Sequence, residues 1–192
     1  MNNEEIEIFL KNNLKDFTIN TSLQQRSVAD IIEYKCCKLA KDEYTDIYLP
    51  AKSKRSIEDF CLVSDTTNCF DVKTHHIQES GFSMPNLISI DRLRKLLLDS
   101  KITLSYVFID YKRIDNKIVI ENINIKYIWQ LDWSVLSIGS LGKGQLQILD
   151  NNKEMKYTDV GREEWSKILL QKGYEYNLKQ MQKIQKEIKN WQ

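Results

Sequence analysis

Two prolines and six glycines are all the chain-breaking residues in 192, so little in the sequence interrupts regular secondary structure. Long apolar runs are missing too. Stretches such as Leu96-Leu97-Leu98 and Val107-Phe108-Ile109 fall far short of the ~20 residues a membrane helix needs. The start, Met1-Asn2-Asn3-Glu4-Glu5, is acidic and has neither the basic opening nor the apolar stretch of a signal peptide. A cytosolic, cytoplasmic location is therefore expected, with no membrane partner. Among the four cysteines no pair has the spacing of two to four residues that a zinc site wants. Cys61 and Cys69 can face one another across a hairpin, but free core thiols are the expectation in a reducing cytosol. Charge of one sign is also lacking: 28 Lys and Arg against 27 Asp and Glu leave a net charge of +1. That excludes a uniformly basic nucleic-acid-binding surface but not local patches. Lys52, Lys54 and Arg55 form one patch, and the segment from Lys153 onward carries nine basic against six acidic residues.

What is present reads as one globular domain, with 42% hydrophobic and 29% charged residues. Ile6, Phe9, Leu10 and Leu14 have helical spacing, which predicts a helix over 5–14. Val28, Ile31, Ile32 and Leu39 predict a second over 27–40, and 41–56 reads as polar and irregular around Pro50. A third helix is expected over 87–100, burying Leu87, Ile90, Leu93 and Leu97. Residues 103–111 are apolar on both faces, as a central strand should be. Strands are expected over 118–128 and 133–138, and a long final helix over 162–191, weakened at Gly173. Helices and strands do not alternate regularly, so a mixed α/β sandwich is expected.

One short segment carries chemistry. Two apolar runs, 59–63 and 69–74, flank Ser64-Asp65-Thr66-Thr67-Asn68, a cluster of turn formers, and so predict a β-hairpin. Side chains alternate along a strand, so Asp71 and Lys73 share a face. Folding the hairpin brings Asp59 to the same sheet end. Two carboxylates can hold a divalent cation, and a lysine beside them can orient or deprotonate a water. Metal-dependent phosphodiester hydrolysis needs that minimum.

Asp59, a hairpin-length gap and Asp71-Val72-Lys73, set among these elements, resemble the PD-(D/E)XK nuclease superfamily and, within it, type II restriction endonucleases. Phe70-Asp71-Val72-Lys73-Thr74-His75 is similar to the strand-borne half of such sites. Phe82-Ser83-Met84-Pro85-Asn86-Leu87-Ile88-Ser89 is similar to the loop and helix start that follow. Gly139 to Gln147 resembles glycine-rich DNA-reading loops of the branch that leaves blunt ends. Where the family's first motif reads Pro-Asp this chain has Glu58-Asp59, so Glu58 and Asp65 rival Asp59 as first acid. Asp65 belongs to the turn and Glu58 to the opposite face, which favours Asp59.

The resemblance implies an α/β restriction-endonuclease-like core: a mixed central β-sheet flanked by α-helices. It places the catalytic core at about 27–128 of a single 1–192 domain, with the DNA-reading loop and C-terminal helix over 129–192. It implies Mg²⁺ held by Asp59, Asp71 and the Val72 carbonyl, with Lys73 placing the attacking water. Glu33 is either a further acid near the metal or a solvated helix glutamate. Double-stranded DNA is the implied substrate, with Ser83, Asn86, Lys143, Gln145, Gln147 and His75 as candidate contacts. His75 and His76 point opposite ways on a strand and are not expected to act together. A homodimer matching a palindromic site follows from the same likeness. The rivals are a structure- or mismatch-specific nuclease of the superfamily and a non-catalytic DNA-binding module.

Overall fold

The computed structural model describes residues 2–15, 19–20, 25–53, 56–77, 86–115, 117–139, 144–149 and 155–191. In chain order the first elements are α1 (Asn3–Leu14), β1 (Ile19–Asn20), α2 (Gln25–Glu43), β2 (Tyr48–Pro50) and β3 (Phe60–Val63). Then come β4 (Thr67–His76), β5 (Asn86–Ser89), α3 (Ile90–Leu98), β6 (Ile102–Ile114) and β7 (Lys117–Tyr127). β8 (Leu136–Gly139), β9 (Gln145–Ile148) and α4 (Arg162–Asn190) complete the order.

Apolar residues on both faces of β6 dictate the layering. Val107, Ile109 and Tyr111 are buried with α1 and α2 on one side. Leu104, Tyr106 and Phe108 are buried on the other, with α3, α4 and the β8–β9 hairpin. A strand that needs cover on both faces takes the middle of its sheet. β6 lies between β4, which it pairs in parallel, and β7, which it pairs antiparallel. The order is β1-β7-β6-β4-β3-β2, a mixed sheet flanked by helices, as expected. No helix among the described residues is long and apolar enough to cross a membrane.

Several expectations are corrected. Residues 86–89 form β5, paired with β9 in a second sheet of order β5-β9-β8, rather than the start of α3. Leu87 lies three residues before Ile90, so helical spacing runs straight across a boundary that the extended Ser89 sets. Trp133–Val135 is a 3₁₀ turn, with Asp132 accepting from the Ser134 N–H at 2.7 Å, and the strand begins only at Leu136. No single alternation runs the length of β7. A bulge at Asp110/Tyr111 switches the buried set from Ile118 to Ile123 and Ile125. Cys61 and Cys69 are joined in a disulfide, not free. They lie directly opposite in the β3–β4 ladder, 4.1 Å apart at Cα, the facing that the hairpin allows. Cys36 and Cys37 are free, and Cys36 is core.

Two contacts fix α4 on the body. Arg162 donates to the carbonyls of Leu96, Leu97, Asp99 and Ile102, capping the end of α3. Trp165 Nε1 donates to the Leu131 carbonyl at 2.9 Å. Gly173 does not break α4; Ile90 packs against it.

Candidate active site

β4 outruns β3, and that mismatch builds the site. The ladder between them begins at the Phe60–Phe70 pair, so β3 offers Val72 no main-chain partner. Asp59, one residue ahead of β3, fills the gap. Its carboxylate accepts from the Val72 N–H at 2.7 Å, while its own N–H donates to the Phe70 carbonyl at 2.8 Å. A residue's N–H and C=O leave a strand on the same side, so the Val72 carbonyl faces this same edge. Phe70 and Val72 point into the core beneath α2. Asp71 and Lys73 point the other way, and Lys73 Nζ donates to Asp71 Oδ1 at 2.6 Å.

Asp71 is only 6% exposed. Burial pushes its pKa up to about 7, outweighing Lys73, with Asp59 and Glu33 adding to the rise. Burial also raises Asp59, against the Val72 N–H and Lys73, which lower it. Glu33, on α2, is raised by burial and then by Asp59. Three acids thus gather around the Lys73 ammonium, with the Arg92 guanidinium on the wall of the same cleft. The donors at hand are the carboxylates of Asp59 and Asp71 and a main-chain carbonyl, all oxygen. Among the described residues no group of three His, Cys, Asp or Glu side chains is arranged to hold a metal by itself. This set fits Mg²⁺, which takes oxygen ligands and keeps several waters.

The acids open onto a cleft of about 540 Å³ whose far wall comes from the second sheet. Asn86 and Gln145, two of the foreseen DNA contacts, line it with Asp59, Asp71 and Lys73. Gln147 hydrogen-bonds Asn86. His75 follows Lys73 on the same face but pairs with Asp110 at 3.2 Å and does not line the cleft. His76 turns to the opposite face and stacks on Tyr111. Ser83 and Lys143 lie outside the described residues, as do Lys54 and Arg55. Of the rival acids, Glu58 lines a neighbouring hollow and accepts from the Ile57 N–H, and Asp65 is in the exposed turn at the far hairpin end.

Three site residues were not foreseen. Tyr106 stands beside Asp71 in the β4–β6 register, with its hydroxyl buried and without a hydrogen-bond partner among the described residues. A tyrosine amid the apolar alternation of β6 was its only signal. Ser56 and Arg92 also line the cleft, and neither belongs to a motif.

No protein-family model matches the chain. No curated protein matches it. Among solved structures it is similar to the NlaIV restriction endonuclease, with a TM-score of 0.56 over 83% of this chain and 75% of that one. Sequence identity is 16%, so the likeness is one of fold. The chain has the α/β fold of a restriction endonuclease.

Proposed function

We propose that the chain is a Mg²⁺-dependent endodeoxyribonuclease that hydrolyses duplex DNA at a short palindromic sequence, as a type II restriction enzyme does, and acts as a homodimer. One observation carries this reading: Asp59, Asp71 and Lys73 meet where β4 outruns β3, in a cleft faced by Asn86 and Gln145. The fold likeness to a restriction endonuclease supports it.

In this reading the scissile phosphate enters the cleft beside Asp71. Lys73, held by Asp71, orients the attacking water in line with the 3′ oxygen that leaves, and its ammonium offsets the charge growing on the phosphorane. Asp59 and Asp71, with the Val72 carbonyl, hold Mg²⁺, which when bound neutralises charge on the non-bridging and leaving oxygens. Asn86 and Gln145 meet base edges, glutamine and asparagine suiting adenine.

Digestion of a sequenced plasmid, with and without Mg²⁺, tests the proposal. Discrete, reproducible fragments that need Mg²⁺ and vanish in Lys73→Ala are the expected result. Unchanged cleavage by Lys73→Ala would sink the catalytic assignment. Cleavage confined to mismatched or branched DNA would point to a structure-specific enzyme, and DNA binding without cleavage to a non-catalytic module.

A further inference from the structure

The apolar residues of α4 fall on two faces. Trp165, Leu169 and Gly173 face the body, with Gly173 against Ile90. Five residues further along, about 140° round the helix, Leu170 and Tyr174 begin a second stripe that the body leaves uncovered. Leu170 is 52% exposed, Tyr174 63%, Met181 57%, Ile184 55%, Ile188 54% and Trp191 92%. Every described residue from Met181 to Trp191 is exposed, so the last three turns of α4 stand clear of the body.

The stripe has a strict spacing. Leu170, Tyr174, Asn177, Met181, Ile184, Ile188 and Trp191 succeed one another at intervals of four, three, four, three, four and three. A seven-residue repeat held this long keeps a straight line only against another helix wound around it with a left-handed supercoil. The remaining positions agree. Lys179 and Lys186 recur at the seven-residue period on the side away from the stripe. Of the flanking positions, Gln171, Leu178, Gln180 and Gln185 are uncharged and Glu187 is the single charge, so like-charge repulsion between two copies is small. Asn177 selects the occupant. An apolar partner or a lipid surface buries its amide with nothing to bond. A second α4 in parallel register sets Asn177 against Asn177, where donor and acceptor satisfy each other.

We propose that the exposed stripe of α4 is the seam of a parallel two-stranded coiled coil formed with α4 of a second copy of this chain. It gives a surface to the dimer proposed above. Yet the spacing of α4 carries it without the catalytic reading, so plasmid cleavage and self-association can fail separately.

Sedimentation equilibrium on the full chain is the test. The expected result is a reversible dimer whose dissociation constant rises at least about 100-fold in Met181→Lys/Ile188→Lys. Those side chains are exposed in the single chain, so helix content by circular dichroism should hold, while Lys179→Glu leaves the dimer intact. Ile184→Cys should oxidise to an interchain link at position 184, identified by peptide mapping apart from Cys36 and Cys37. A wild-type chain that stays monomeric at concentrations on the order of 100 µM, or a dimer untouched by the double lysine change, overturns the proposal. Absence of the link at 184 overturns the parallel register. A monomeric wild type that sediments with anionic phosphatidylserine vesicles, unlike the double lysine variant, reassigns the stripe to a lipid surface.

Discussion

The two faces of β4 are made by alternate residues of one strand, yet they answer to opposite demands. Phe70 and Val72 face α2 and are buried among apolar side chains, with Phe70 stacked on Phe60 at 5.0 Å. Asp71 and Lys73, one residue away, face a polar cleft and leave the carboxyl of Asp71 buried and pushed up to about 7. The first face lowers the energy of the fold and the second raises it. A buried carboxylate whose desolvation outweighs its ammonium partner is a standing cost, and such a shifted acid in a cleft marks a candidate functional site. Damage to the first face should therefore unfold the chain, and damage to the second should disarm it while leaving it as stable or more so.

The largest effect is expected on the apolar face. Phe70→Ala removes a fully buried ring and should cost about 3–5 kcal/mol of stability, read as a lower urea midpoint at constant slope. A loss under about 1 kcal/mol would mean that this face can collapse around the gap and that the contrast is overdrawn. On the other face, Lys73→Ala should slow DNA cleavage by about 10²–10³-fold or more, roughly 3–4 kcal/mol of barrier. Its urea midpoint should stay near the wild-type value, since Lys73 is partly exposed. Loss of activity together with unfolding would make Lys73 a structural residue.

The apolar face was the more legible of the two in the sequence. Central position in the sheet followed from apolar residues on both faces of β6, and helical spacing located α1, α2 and α4. The pair Asp71–Lys73 was legible because period 2 places those side chains together whatever surrounds them. Asp59 was not legible in that way: its place depends on where β3 begins, and a one-residue shift would have offered Glu58. The hairpin allowed Cys61 and Cys69 to face one another, and the expectation of a reducing compartment, not the pattern, left them unbonded; register hid Tyr106 beside Asp71, a cross-strand relation. The wall of the cleft was misread at β5, where Leu87 continues a helical spacing that the backbone does not follow. Local periodicity is written in neighbouring residues, whereas pairing between distant strands is not.

A smaller effect should appear in the pH dependence of stability. Folded Asp71 keeps its proton up to about pH 7, whereas an unfolded aspartate releases it near pH ~4. Between those values the folded state binds more protons, so the stability this group contributes is full at low pH and is lost as pH rises through 7. In the metal-free protein the loss should be on the order of 4 kcal/mol from pH 4 to 8. Asp71→Asn should flatten the profile and unfold at higher urea than wild type at pH 8. Mg²⁺ should stabilise the wild type more at pH 8 than at pH 5, and Asp71→Asn hardly at all. A wild-type profile that rises over this range would remove Asp71 from the costly face.

The least effect, and the finest test of the contrast, concerns Glu33. It stands on α2, which covers the apolar face, yet its pKa responds to Asp59 and Lys73, which belong to the site. It is the point where the two faces come within electrostatic reach around the end of β3. If its charge serves the site, Glu33→Gln should slow cleavage about three- to tenfold, within ~1.4 kcal/mol of barrier. It should also raise the Mg²⁺ concentration needed for half-maximal rate, because one negative charge near the cation has gone. Stability should change little or rise slightly, since burial makes the charged form of Glu33 unfavourable. If Glu33 is only a helix glutamate, rate and Mg²⁺ requirement will both match the wild type. Single-turnover cleavage measured across a Mg²⁺ titration separates the two outcomes. A changed Mg²⁺ requirement would extend the functional face round the sheet edge to α2, and an unchanged one would end it at Asp59.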